Sequence, residues 1–252
     1  MTDLTDRVFV ITGGNGGIGL GIAEGIALAG GRVVLWGRNS EKNNRAVEQI
    51  EELGGAAHAI CCDVADEPAV VAAMNESVSV WGRIDGAFAN AGRGGSGTPF
   101  TKLTLDEWRA VMSVNLDGVF LTLREAARHL IEQGDGGSLV AVSSTSAIHG
   151  AAGNEAYGAS KTAVNGLVRA LAVGLARHRI RVNSLLPGWT KTELSDAAFG
   201  SDRFREATTR RTPVRRWAEP SDYRKIGAFL ADPTIDWHTG RELCADGGYT
   251  IF

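Results

Sequence analysis

The chain has 252 residues, 44% of them hydrophobic, with a net charge of −3 and a pI near 6.0. That is enough apolar material for one large α/β domain, and the acidic balance argues against a nucleic-acid or other polyanion partner. No apolar run reaches the roughly 18 residues of a membrane helix, and MTDLTDRVFVITGG lacks a cationic region followed by a long apolar stretch, so a cytoplasmic protein is expected. Cys61, Cys62 and Cys244 do not make a disulfide framework and are expected to be reduced core thiols.

Short β-branched runs alternate with longer amphipathic segments. RVFVI (7–11) predicts a first strand that runs into TGGNGGIG, Thr12 to Gly19, and a helix over about 17–30. The glycines allow a tight turn and close approach of backbone to a pyrophosphate, and the helix N-terminus offers unpaired N–H groups. The stretch reads as G-x-G-x-x-G through Gly14, Gly16 and Gly19. It also reads as Thr-Gly-x-x-x-Gly-x-Gly through Gly13, Gly17 and Gly19. Either pattern alone also fits a turn that only shapes the strand–helix connection.

RVVLW (32–36) is the second strand, followed by Gly37, Arg38 and Asn39 and a helix over 40–54. AHAIC (57–61) leads to Asp63, Val64 and a helix over 67–81. IDGAFAN (84–90) ends at Asn90, before Ala91 and Gly92, and the helical pattern 104–133 follows. That pattern contains Asn115, a poor residue for a helix interior because its amide competes for backbone bonds. SLVAVSS (138–144) ends at Ser144, and a helix over 155–178 follows. IRVNSLL (180–186) leads into PGWTKT, and the chain closes with a helix over 220–231 and the strand RELCA (241–245).

Seven strands alternating with helices predict an α/β, doubly wound parallel sheet with helices on both faces, in one domain spanning 1–252. The stretch 188–219 lacks a strand pattern and is expected to be a mobile lid over the substrate.

Tyr157 and Lys161 stand four residues apart, on one helix face and about 6 Å from each other. A free phenol has a pKa near 10, and a nearby cation lowers it. Such a phenol can trade a proton with an alcohol oxygen as a hydride leaves or reaches the carbon. Gly158, Ala159 and Ser160 between the pair leave room for a cofactor. The same spacing also occurs in ordinary surface pairs worth a few tenths of a kcal/mol.

The glycine loop, Asn90-Ala91-Gly92, VNLDG around Asn115, Ser144, Tyr157 thirteen residues later, Lys161 four beyond and PGWTKT occur in one order and spacing. Together they resemble the classical short-chain dehydrogenase/reductase family over essentially the whole chain. The resemblance implies a Rossmann-type sheet in the order 3-2-1-4-5-6-7 and NAD(P)-dependent hydride transfer to or from an alcohol or carbonyl substrate. It also implies a homo-oligomer, commonly a tetramer, with a dimer as the alternative.

The resemblance makes Tyr157 the general acid/base, Lys161 its tuner and holder of the nicotinamide ribose, and Ser144 the donor to the substrate oxygen. Asn115 would mark a helix distortion holding a water that links Lys161 to solvent; an ordinary packing or capping role is the alternative. Around the cofactor the resemblance places Gly13, Asn15, Gly16, Gly17, Ile18 and Gly19. Asp63 and Val64 would face the adenine, and Asn90, Ala91 and Gly92 would support the cofactor from behind. Pro187, Gly188, Thr190 and Thr192 would meet the carboxamide or a phosphate oxygen.

An NAD enzyme usually carries an acidic residue after the second strand. Here Gly37 leaves space and Arg38, followed by Asn39, can pair with a 2′-phosphate, which favours NADP over NAD. The lack of a basic residue at Asn15 or Gly16 points the other way. Arg203, Arg205, Arg210, Arg211, Arg215 and Arg216 crowd the expected lid. They read most simply as a solvated helix pairing with acids such as Glu206, although such a cluster can also recruit an anionic substrate.

His149, Glu155 and Trp189 adjoin motif residues as candidate pocket walls, and RGGSG (93–97) as a mobile loop. The five histidines lack metal-ligand spacing, so no metal is expected. The tail ADGGYTIF and an apolar helix face (Ala163, Val164, Leu167, Ala170, Leu171, Gly174) are candidate subunit contacts. Two other functions compete. A non-catalytic dinucleotide-sensing regulator would not need Ser144, Tyr157 and Lys161 intact. A sugar-nucleotide epimerase needs an extra substrate domain for which no residues are left.

Overall fold

The structure is a computed structural model describing residues 2–150 and 152–252. Seven strands, β1 (Val8–Thr12), β2 (Arg32–Gly37), β3 (Ala56–Cys61), β4 (Gly86–Ala89), β5 (Gly137–Val142), β6 (Ile180–Pro187) and β7 (Glu242–Ala245), form one sheet. It is parallel throughout, in the order β3-β2-β1-β4-β5-β6-β7. The helices are α1 (Gly17–Leu28), α2 (Ser40–Glu52), α3 (Glu67–Trp81), α4 (Leu105–Met112), α5 (Gly118–Gln133), α6 (Glu155–Leu175), α7 (Asp196–Phe199), α8 (Asp202–Arg211) and α9 (Arg224–Ala231).

Parallel strands need helical crossovers, which cover both faces and leave the strands apolar on both sides. β1 shows the consequence. Val8 and Val10 pack with Val34, Trp36 and Ala87 under residues of α3, α5 and α6. Phe9 and Ile11 point the other way, among Leu35, Phe88 and Val140, with Ile22 and Ile26 of α1 and Ile50 of α2 above them. Full burial of a side chain such as Phe9 or Ile11 is worth about 1.5–3 kcal/mol.

Helix starts follow from single polar residues. Asn39 accepts the Lys42 N–H at 3.0 Å to begin α2, and Asp66 accepts the Ala69 N–H at 3.3 Å to begin α3. α3 stops at Gly82, which takes the left-handed conformation at φ 76°.

Several boundaries differ from the sequence pattern. The helix expected over 104–133 is two helices joined by a π turn, Ser113–Asp117, with Asn115 buried inside it. β4 and β5 end at Ala89 and Val142, so Asn90 and Ser144 stand beyond the ladder on the carboxyl rim. The 188–219 stretch contains α7, α8 and a parallel bridge from Thr190 to Ala218. Of the three thiols, only Cys62 is buried; Cys61 and Cys244 lie exposed on the two edge strands, β3 and β7.

At the amino edge, buried Asp85 accepts bonds from Arg7 and Arg83, each at 2.7 Å, and from the Val8 N–H at 2.9 Å. Burial alone would raise its pKa, but these bonds outweigh it and hold the carboxyl below its ordinary value. A cavity of about 440 Å³ opens beside it, at the opposite end of the strands from the carboxyl rim.

α1 lies very close to the segment that leads into α9. A Cβ on Gly21 would fall 1.9 Å from the Pro220 carbonyl oxygen, and one on Gly25 would fall 1.9 Å from that of Arg224. Backbone must move to admit any side chain there. Gly25→Ala should therefore cost about 1–3 kcal/mol and lower Tm by roughly 5 °C in thermal denaturation. An unchanged Tm would mean that this helix contact yields freely.

Candidate active site

The strand order reverses between β1 and β4, and the rim above that point is built from backbone. Thr12 Oγ1 accepts the N–H groups of Asn90 (3.0 Å) and Ala91 (2.9 Å). Asn90 Nδ2 returns bonds to the carbonyls of Thr12 (2.9 Å) and Gly13 (3.2 Å). Thr12, the first residue of the Thr-Gly-x-x-x-Gly-x-Gly pattern but not among the expected site residues, is thus the lock between the two strand ends. Gly13 has φ 63°, and a Cβ on Gly19 would sit 2.4 Å from Asn90 Nδ2, so both positions require glycine.

Gly16 differs: a Cβ there would meet nothing within 4 Å. α1 starts at Gly17 with no side-chain cap and no acidic residue in its first turn. Its first N–H groups therefore stay available beside open space, which fits a pyrophosphate. Ile18 packs toward the core, and the Thr192 methyl lies 3.0 Å from where a Gly17 Cβ would be.

Where an adenosine would lie, the chain's own amides fill the space expected at Gly37. Asn15 Nδ2 donates to Asn43 Oδ1 at 2.7 Å, and Asn43 Nδ2 donates to the Gly37 carbonyl at 2.9 Å. A Cβ on Gly37 would come within 2.2 Å of Asn15 Nδ2, so the glycine admits this amide pair and does not leave a void. The side chain of Asn39 is spent on its cap. Arg38 is 75% exposed, with its guanidinium 3.9 Å from the Asp63 carboxylate, a loose tether that leaves it free to swing. Asp63 Oδ1 accepts the Ala65 N–H at 3.0 Å. Val64 is buried against Gly118, where a Cβ would fall 2.8 Å from it.

Asn115 Oδ1 accepts the Arg93 N–H at 2.7 Å, and its Nδ2 donates to the Arg93 carbonyl at 2.9 Å and to Ser160 Oγ at 3.2 Å. The side chain thus pairs with the strand-like backbone after Gly92 as a neighbouring strand would, and the π turn accommodates it. A Cβ on Gly92 would lie 3.6 Å from Asn115 Oδ1 and 3.7 Å from Lys161 Nζ, so these three residues meet.

Lys161 is 2% exposed, and its Nζ donates to the Val142 carbonyl at 2.7 Å. Burial drives its pKa down to about 8. The ammonium lies 5.6 Å from the centroid of the half-buried Tyr157 ring. Burial raises the pKa of the phenol, and the Ser144 side chain beside it offsets only part of that. The expectation that the lysine would leave the phenol more acidic than a free one is therefore corrected. Desolvation penalises phenolate and ammonium alike. Ser144 Oγ also accepts the Ser146 N–H at 3.0 Å, which fixes the turn after β5.

Past Pro187, the Gly188 N–H bonds the Ala245 carbonyl at 3.0 Å, and Thr190 Oγ1 pairs with the Tyr223 hydroxyl at 2.7 Å. The Thr192 N–H donates to Ser195 Oγ at 3.1 Å. Trp189 packs on Phe204 and Trp217 at 5.0 and 5.1 Å, tying α8 to the rim. Arg205 and Arg216 pair with Asp202 and Asp222; the expected partner, Glu206, forms no ion pair among the described residues. Glu155 accepts the Gly153 N–H at 3.0 Å, and the Gly95 N–H is held by Asn154 at 3.0 Å.

A sheet of this order with a glycine turn at its switch point is the frame of a dinucleotide-dependent oxidoreductase. The family model described as enoyl-(acyl carrier protein) reductase matches residues 13–250, and the chain belongs to the short-chain dehydrogenase/reductase family. It is similar to 2,5-dichloro-2,5-cyclohexadiene-1,4-diol dehydrogenase of Sphingobium indicum, with 32% identity over 99% of both chains. Cis-4-hydroxycyclohexanecarboxylate dehydrogenase of Sinomonas cyclohexanicum is 35% identical, over 97% of both chains. The solved gluconate 5-dehydrogenase of Burkholderia cenocepacia, in complex with NADP and tartrate, superposes with a TM-score of 0.93 at 35% identity, over 98% of this chain and 96% of that one. Like its relatives, this protein is an oxidoreductase that moves a hydride between a nicotinamide cofactor and an alcohol or carbonyl carbon.

The buried charge of Lys161 carries a signed prediction. Its folded-state pKa lies below its ordinary 10.5, so the unfolded chain binds more protons between about pH 8 and 10.5. Stability against the neutral isostere Lys161→Met is therefore at a disadvantage below pH 8, and the wild type recovers as pH rises through that window. The full shift corresponds to roughly 3 kcal/mol, less about 1 kcal/mol for the orphaned Val142 carbonyl. Urea denaturation at pH 7 and pH 10 tests this. A wild-type margin that shrinks with rising pH would contradict the burial of a charged lysine.

Proposed function

We propose that Tyr157 is the proton donor and acceptor for the substrate oxygen, with Ser144 hydrogen-bonding that oxygen and Lys161 beneath the phenol. The convergence of Tyr157, Ser144 and a fully buried Lys161 on the carboxyl rim, beside the uncapped start of α1, carries this reading. Bound nicotinamide supplies or accepts the hydride. The amides of Gly13 to Gly19 would hold its pyrophosphate, Asp63 and Val64 its adenine, Lys161 its ribose, and the backbone from Pro187 to Thr192 its carboxamide. Asn90, Ala91 and Gly92 would back it, and Asn115 would hold the helix turn that keeps Lys161 in reach of a proton path to solvent.

A phenol pushed above its ordinary pKa remains protonated at neutral pH. That is the form that donates to a carbonyl, so reduction is favoured near neutrality and alcohol oxidation accelerates as pH rises. For the cofactor we favour NADP: Arg38 is exposed, weakly tethered and would be free to meet a 2′-phosphate. The solved Burkholderia relative holds NADP, as do two further solved relatives at 34% and 30% identity.

The substrate would be a cyclic or polyhydroxylated secondary alcohol or its ketone, as the names of the relatives suggest. The 188–219 segment would close over it. The exposed faces of α5 and α6, including Phe120 and Val173, offer the contact for a cytoplasmic homotetramer; Val164, expected on that face, is core.

Tyr157→Phe should lower kcat by roughly 10²–10⁴-fold with Kd for NADP little changed. Turnover that survives the substitution would exclude the phenol as acid/base. In the wild type, kcat/KM for alcohol oxidation should climb with pH past 8. Arg38→Ser should cut the NADP-over-NAD ratio of kcat/KM by about tenfold or more; an unaltered ratio would dismiss Arg38 as the selector.

A further inference from the structure

We propose that His149, Tyr249 and Arg211 form a recognition wall for a carboxylate on the substrate, so that the preferred substrate is a hydroxy acid or keto acid. The proposal rests on the reading of Ser144 and Tyr157 as the reacting centre. His149 follows Ser144 by five residues on the same turn, its N–H bonded to the Thr145 carbonyl at 3.0 Å. Its ring meets that of Tyr249, from the C-terminal tail, edge-on at 6.0 Å. His149 Nε2 is buried and has no hydrogen-bond partner among the described residues. A buried polar atom left so costs about 1–3 kcal/mol, and a group that arrives with the substrate recovers it.

Arg211 ends α8 and lies over the same phenol ring, with Cζ 4.3 Å from the centroid. Its bond to the Tyr249 hydroxyl is long, at 3.4 Å. Arg205 and Arg216 are matched by carboxylates, whereas Arg211 has none within 4 Å among the described residues. Stacking on an aromatic ring orients a guanidinium without neutralising it and leaves its donor edge free.

One phenol thus gathers an unmatched cation and an unfilled imidazole nitrogen, supplied by the Ser144 turn, the tail and the lid. A hydroxyl could occupy the nitrogen but would leave the charge uncompensated. A carboxylate serves both, one oxygen accepting from the imidazole N–H and the pair facing the guanidinium.

The test compares cis-4-hydroxycyclohexanecarboxylate with its neutral carboxamide, using NADP and wild-type, Arg211→Met, Arg211→Lys and His149→Phe enzymes of matched Tm. The wild type should prefer the acid by about tenfold or more in kcat/KM. Arg211→Met should cost the acid about tenfold through KM and the amide much less, with Arg211→Lys between, and His149→Phe should erode the same preference. Equal use of acid and amide by the wild type, an equal loss for both in Arg211→Met, or no turnover of either compound overturns the proposal. A neutral cyclic ketone reduced by the wild type but not by Tyr157→Phe keeps the reacting centre intact in any of those cases, so the two failures are told apart.

Discussion

One ammonium taken out of water at the carboxyl rim organises this molecule. Among the described residues Lys161 Nζ has one hydrogen-bond partner, the Val142 carbonyl, and it gives up much of its basicity to stay buried. A lone buried charge is expensive, and a fold retains one only where its surroundings are held rigidly. The rigidity is visible in the neighbours. Ser143 Oγ donates to the Lys161 carbonyl at 3.0 Å and Ser160 Oγ to that of Tyr157 at 2.7 Å, so the helix carrying the pair is pinned to the end of β5 and to itself. Asn115 makes three side-chain bonds, two to Arg93 and one to Ser160, closing the third side.

The opposite half of the rim is held by close backbone approach and not by charge. Four bonds join Thr12 and Gly13 to Asn90 and Ala91 between the ends of β1 and β4, and the glycines there are fixed by contacts as short as 2.4 Å from a hypothetical Cβ. The same economy draws α1 onto residues 220–224. Because that segment joins residues 188–219 to α9, the glycine turn and the chain entering α9 are positioned by a single helix.

Much of this was legible in the chain. Seven strands followed from alternation, because crossover helices impose buried strands and each helix announces itself by period; their order followed only from the family resemblance. The residues proposed to react stood out because Ser144, Tyr157 and Lys161 lie at fixed offsets on consecutive elements. What stayed hidden depends on contacts between distant residues. Nothing around Asn43 indicates that its amide reaches back to Asn15 and explains Gly37. The π turn at Asn115 is invisible to a period of 3.6, since the sequence on either side remains helical; only the family resemblance placed a distortion there. The sorting of six lid arginines into paired and unpaired is decided by the positions of Asp202, Asp222 and Tyr249, none of which a charge count can place.

The direction of the two pKa shifts first looks adverse to proton transfer, since burial makes the phenol a weaker acid and makes the ammonium lose its proton, and with it its charge, more readily. Catalysis, however, depends on what changes between ground and transition states. At neutral pH both groups are protonated, the phenol is uncharged, and the lysine exerts little pull on it. In the proposed transfer to a substrate oxygen, negative charge would grow on a ring whose centroid is 5.6 Å from the ammonium. Beside a buried lysine that attraction is stronger than water would allow. The desolvation that keeps Tyr157 neutral at rest thus reserves the lysine's attraction for the moment of transfer.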